Sequence, residues 1–140
     1  MIALLFLLFA ETQKGPAPAA AQRFAQVSKQ AAQAREQERL EEAMQLYREG
    51  VRLRPDWKEG WWYLGTMFYD QDRYEEARAA LGRFTVLDPK VAAAWAFFGV
   101  CEYETKAYDE ALGHLEHASA PGSTTSNTVR CFGVHSGPNG

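Results

Sequence analysis

Cysteine is scarce in this sequence: two residues in 140, Cys101 and Cys131, too few for a disulfide framework. Cys101 lies in an apolar helical stretch and reads as a small buried hydrophobe rather than a reactive thiol. An excess of charge of one sign is also missing. Fifteen Lys and Arg against 18 Asp and Glu leave a net charge of −3 and a pI near 5.6. With no basic footprint, nucleic acid is not an expected partner. No glycine-rich phosphate loop after a strand, no nucleophile elbow and no HExxH occurs. The chain is therefore read as non-enzymatic, with no catalytic residue and no cofactor. The remaining metal candidate is His114 with His117 at i,i+3 and Glu110 one turn earlier. Lacking a second cluster of ligands, these read as solvated side chains on an outer helix, and no metal is expected. Asp70 and Asp72 read as solvated residues of a turn.

What is present begins with an apolar run, "MIALLFLLFA", followed by "ETQKGPAPAAAQ". It is far too short to span a bilayer, which takes about 20 residues, but it suits the hydrophobic part of a signal peptide. Ala19 to Ala21 offer the small side chains a signal peptidase accepts, with Gln22 as the mature start, although no Lys or Arg precedes the run. Residues 1–21 are thus read as a leader and export, to the periplasm or outside, as the expected destination; the alternatives are an uncleaved apolar anchor, or a start placed too late in a cytoplasmic chain.

The decisive feature is internal. Shifted by 34, the sequence falls on itself: Trp61 on Trp95, Gly65 on Gly99, Tyr69 on Tyr103, Tyr74 on Tyr108, Ala77 on Ala111 and Leu81 on Leu115. Shifted the other way, Ala77 meets Ala43, Glu76 meets Glu42 and Pro89 meets Pro55. A fixed period of this length signals a repeat architecture. Within one period, Trp61, Leu64, Gly65 and Phe68 follow the spacing of one helix face, and Tyr74, Ala77, Leu81 and Phe84 that of a second. Gln71 to Arg73 connect them, and Pro55 and Pro89 end the second helices. Gly65, Gly99, Ala43, Ala77 and Ala111 supply small side chains where paired helices cross. Each hairpin is too thin to bury its own apolar face, so hairpins must stack.

With Trp, Leu-Gly and an aromatic on the first helix, then Ala, a large apolar residue and Pro, the segment resembles tetratricopeptide repeats. Residues 58–91 carry the pattern best, through Trp61, Leu64-Gly65, Phe68, Ala77, Leu81 and Pro89. Residues 92–120 keep Trp95, Phe98-Gly99, Ala111 and Leu115 but place Glu102 at the usual aromatic position. Residues 22–57 form a degenerate hairpin, matching in Leu40, Ala43, Tyr47 and Pro55, with Val27, Ala31 and Ala34 in place of large residues. The resemblance implies an all-α fold, a right-handed α-solenoid of about three stacked helix-turn-helix hairpins. Trp61, Trp95, Phe68, Tyr74 and Tyr108 are read as core; Trp62, Tyr69 and Tyr103 are not needed by the packing pattern.

In proteins similar to this one the first helices line a concave groove that takes a peptide. Carried over, the groove residues are Glu59, Trp62, Thr66, Tyr69 and Asp70 in the middle hairpin. Ala93, Ala96, Val100, Tyr103 and Glu104 follow in the last, with Ser28, Ala32, Arg35 and Glu36 in the first. Some relatives grip a C-terminal carboxylate with basic side chains on these faces. Ser28, Ala32, Thr66, Ala93 and Phe97 stand there instead, so no such clamp is expected. The reading is a non-catalytic module that binds a protein or peptide partner in this groove. The alternative is the leading array of a longer enzyme or membrane-associated protein, cut short or frame-shifted at its end. That alternative is motivated by residues 121–140, "PGSTTSNTVRCFGVHSGPNG", which are polar and aperiodic and read as a disordered tail. An uncapped last hairpin also suggests self-association.

Overall fold

The computed structural model describes residues 18–120. The apolar run at the start and the tail with Cys131 lie outside the described residues. Six helices follow one another: α1 (Pro18–Glu36), α2 (Leu40–Leu53), α3 (Lys58–Asp70), α4 (Tyr74–Leu87), α5 (Ala92–Glu104) and α6 (Tyr108–Ser119). They pair as α1–α2, α3–α4 and α5–α6, and each hairpin packs on the next through α2–α3 and α4–α5, with α3 also touching α5. This is an all-α solenoid of helical hairpins.

The 34-residue period governs the backbone as well as the side chains. Glu38, Asp72 and Lys106 all adopt positive φ, at 57°, 58° and 66°. At each hairpin turn the same pair of bonds forms. Asp72 donates its N–H to Tyr69 and Arg73 donates to Phe68, and the residues 34 before and after them repeat both contacts. This left-handed closure satisfies the last carbonyls of the first helix in the manner of a Schellman motif. None of α2 to α6 has a side-chain N-cap. Acids in the first turns of α2, α4 and α6 complement the helix dipole instead. Arg39 pairs with Glu42 and Arg73 with Glu76 in successive hairpins, and the Arg73 hydrogen bond holds the Glu76 carboxyl below its ordinary range.

The core runs along the array from Ala31 and Ala34 to Cys101. The small residues stand where two helices meet. A Cβ on Gly65 would lie 2.7 Å from Leu81 Cγ, and one on Gly99 would lie 2.8 Å from Leu115 Cγ. Ala43, Ala77 and Ala111 are buried. Trp57, outside the repeat pattern, fills the first inter-hairpin layer. Its ring stacks on Tyr47 at 5.5 Å, meets Phe24 edge-on at 5.1 Å, and occupies the space that a Cβ on Gly50 or Gly60 would need.

Three expectations about the core are corrected. Trp62, read as a non-core residue, is only 1% exposed and packs against Phe84 at 5.3 Å and Phe97 at 5.9 Å. Trp61 and Trp95, read as core, are half-buried. Each donates its indole N–H to a proline carbonyl 2.8 Å away, Trp61 to Pro55 and Trp95 to Pro89. Their recurrence reflects this tie between a helix and the loop preceding it. Tyr108, also read as core, is 55% exposed, and Tyr74 turns its hydroxyl outward to Asp72 at 2.7 Å.

Candidate functional site

The first helices α1, α3 and α5 share one face, and a ladder of side chains crosses it. In each step the residue one period apart (Arg35, then Tyr69) lies against a ring on the next hairpin (Tyr63, then Phe97). The Arg35 guanidinium sits 4.1 Å over the Tyr63 ring, and Tyr69 meets Phe97 edge-on at 4.9 Å. Tyr103 is the third member of the series and is 59% exposed, touching Tyr108 at 5.3 Å as Tyr69 touches Tyr74 at 5.8 Å. Tyr63 was not among the residues expected to line the groove, and Phe97 was read there only as a residue standing where a carboxylate clamp is missing. Their signal was in the sequence, since both stand 28 residues after a groove position, but neither position carries a pattern residue of the repeat.

Of the expected groove residues, Arg35, Tyr69 and Val100 are half-buried, whereas Glu59, Asp70, Tyr103 and Glu104 are exposed. Trp62 and Thr66 do not belong to the accessible surface. Thr66 is buried and turns its hydroxyl back to the Trp62 carbonyl at 3.1 Å, which satisfies it within its own helix. The accessible face is therefore made of Arg35, Tyr63, Tyr69, Phe97, Val100 and Tyr103, with a cation at one end. An exposed acid stands along it in every hairpin, at Glu36 beside Arg35 and then at Asp70 and Glu104. Partial desolvation pushes the Asp70 carboxyl up, and burial, with nearby acids adding to it, pushes the Tyr69 hydroxyl up. A phenol kept neutral on a partly dry surface serves as a hydrogen-bond donor and an apolar platform together.

The last hairpin holds a second polar arrangement. Glu102, standing where Phe68 stands one period earlier, is 2% exposed, and its carboxylate lies 2.6 Å from His114 Nδ1. His114 is not a solvated outer residue as expected: its ring stacks on Phe98 at 4.7 Å and lies 5.0 Å from Trp95. The imidazole thus replaces the missing aromatic layer and satisfies a buried carboxylate at once. His117 lies 4.5 Å from Trp95, and no group of three His, Cys, Asp or Glu suited to a metal occurs among the described residues. Cys101 is fully buried, and burial pushes its thiol up to about 11, with neighbouring Glu102 adding to the rise.

The sequence matches the profile of the tetratricopeptide repeat family twice, over residues 28–83 and 64–124. The chain belongs to the tetratricopeptide repeat family. Solved structures agree on the fold. A chain of a CopN–Scc3 complex is 24% identical with a TM-score of 0.61, the match covering 68% of this chain and 56% of that one. MamA is 20% identical with a TM-score of 0.64 over 70% of this chain and 54% of its own. The first such domain of Spaghetti (RPAP3), solved with the HSP90 peptide SRMEEVD, is 14% identical with a TM-score of 0.59 over 80% of this chain and 91% of that domain. This repeat array thus spans little more than half the length of the first two. No curated protein matches the chain. Membership of the repeat family makes it a protein-interaction module.

Proposed function

We propose that the inner face binds an extended peptide segment of a partner protein and has no catalytic role. The reading rests on the ladder from Arg35 to Tyr103, where half-buried rings of adjacent hairpins meet at an accessible surface edged by Glu36, Asp70 and Glu104. Aromatic side chains immobilised by their neighbours lose little entropy on association and anchor binding effectively. An apolar peptide side chain would settle between Tyr69 and Phe97. A basic residue would lie toward Asp70 and Glu104. That tetratricopeptide repeat domains have been solved with bound peptides, as in the Spaghetti domain, supports this mode. The test is a pull-down with the full chain, wild type against Tyr69→Ser and Tyr103→Ser, after both variants are shown to fold by circular dichroism. A partner captured by the wild type should be lost from both variants, a weakening of about 2 kcal/mol at each ring. Undiminished capture by both would overturn the inner-face reading.

A further inference from the structure

The opposite side of the array carries a second groove, distinct from the inner face. At 100° per residue, Trp61 points about 180° away from Asp70 around α3, so it faces outward between the second helices. There a groove of about 510 Å³ opens between α2 and α3. Trp61 and Leu64 form its floor, and Gln45, Arg48, Glu49, Val51 and Arg52 form its wall.

The same place one period later is filled. Trp95 and Phe98, which correspond to Trp61 and Leu64, are covered by the imidazoles of His114 and His117. At the earlier interface the corresponding residues are Ala80, too short to cover the floor, and Arg83, whose guanidinium stands 5.9 Å from the Trp61 ring centre. The wall differs as well: where Gly82 and Val86 stand in the later interface, Arg48 and Arg52 stand here. One layer of this solenoid is closed by an aromatic–imidazole stack, and its counterpart is open and lined with guanidinium groups.

The charges of the groove are not balanced from within. Its one acid, Glu49, is held by Arg23 at 2.7 Å. Arg48 lies over the Phe68 ring at 5.0 Å and acts at longer range on Glu76, which Arg73 holds, and neither Arg48 nor Arg52 forms an ion pair among the described residues. The volume suits one large side chain with its flanking groups rather than a helix or a long polyanion. We propose that this outer groove docks an extended acidic segment of another protein, which lays one aromatic or aliphatic side chain on Trp61 and Leu64 and its carboxylates on Arg48 and Arg52. Guanidinium groups take carboxylates in bidentate fashion, and the Arg83 cation over the indole adds to the platform.

The test uses the full chain and acetylated, amidated peptides in which glutamates flank a central tryptophan, with the same peptides carrying glutamine as comparison. Binding is read by calorimetry at low and high salt. The glutamate peptide should bind at least tenfold more tightly than the glutamine peptide, and salt should weaken it. Arg52→Glu and Arg83→Glu, both at exposed positions and checked for folding by circular dichroism, should each reduce binding at least tenfold. Absence of binding, or equal binding of both peptides, overturns the proposal. So does binding that Tyr103→Ser removes and Arg52→Glu does not, which would assign the peptide to the inner face. An oligouridylate that displaces the peptide with higher affinity would instead make the groove a nucleic-acid site and equally overturn it.

Discussion

Two adjacent tryptophans divide their tasks by direction. Trp62 points into the layer between the second and third hairpins, where Phe84 and Phe97 enclose it, and Trp61 points to the outer groove and ties α3 to Pro55. Trp62→Ala should therefore destabilise the chain by about 3–5 kcal/mol, the usual cost of deleting a buried aromatic. Trp61→Phe keeps most of the apolar contact and loses one hydrogen bond, a cost of about 1 kcal/mol. Urea titration followed by circular dichroism ranks the two; a larger loss at Trp61 would contradict the assignment. Cys101 supplies a second test at this scale. Its folded thiol titrates near 11 against an ordinary value of 9.0, so the folded state holds its proton where the unfolded chain releases it. The associated stability is complete below pH 9 and is lost as the pH rises from 9 through 11. In a Cys131→Ser variant, Cys101 should resist an aromatic disulfide reagent at pH 8 and react fully once urea unfolds the chain; rapid labelling of the folded protein would refute its burial.

At the scale of elements, the hairpins close in the same way whatever residue occupies the turn. Glu38, Asp72 and Lys106 share the left-handed conformation, although only aspartate among them is a residue that tolerates it well. The closure is imposed by the two helices it joins, whose ends must come within hydrogen-bonding reach. Lysine at Lys106 stores part of that cost. Lys106→Gly should relieve strain of about 1–2 kcal/mol, offset by about 0.4–1 kcal/mol of added freedom in the unfolded chain. A net gain of about 0.5–1 kcal/mol should appear as a higher thermal midpoint; a lower midpoint would mean that the lysine side chain makes a contact worth more than the strain. The outward groove and the inner ladder are also properties of elements, since each needs side chains from two consecutive hairpins.

Across the whole molecule, burial is uneven. α4 buries Ala77, Ala80, Leu81, Phe84 and Thr85, and α3 buries seven residues, whereas α6 buries Ala111 alone among the described residues. In a linear array, stability is a sum of hairpin and interface contributions, so protection follows the local burial. Amide hydrogen exchange should be slowest in α3 and α4 and fastest in α6. Protection of α6 equal to that of α4 would show that something further covers the last hairpin.

The period of 34 by itself determined most of the fold. It set the hairpins, the proline stops after α2 and α4, and the small residues Gly65, Ala77, Gly99 and Ala111 at the helix crossings, because each follows from local geometry repeated along the chain. Burial was another matter. A recurring residue shows that two hairpins use it alike, not that both bury it. Trp61 and Trp95 recur for the sake of a proline carbonyl, and Trp62 is buried by rings that approach from two other helices. Tyr63 and Phe97 join the inner ladder only when consecutive hairpins stack, and Glu102 finds its partner in His114 across the hairpin. Hydrophobic burial has no direction of its own, so which face of a helix is dry is decided by its neighbours in space, and only the tertiary structure places them.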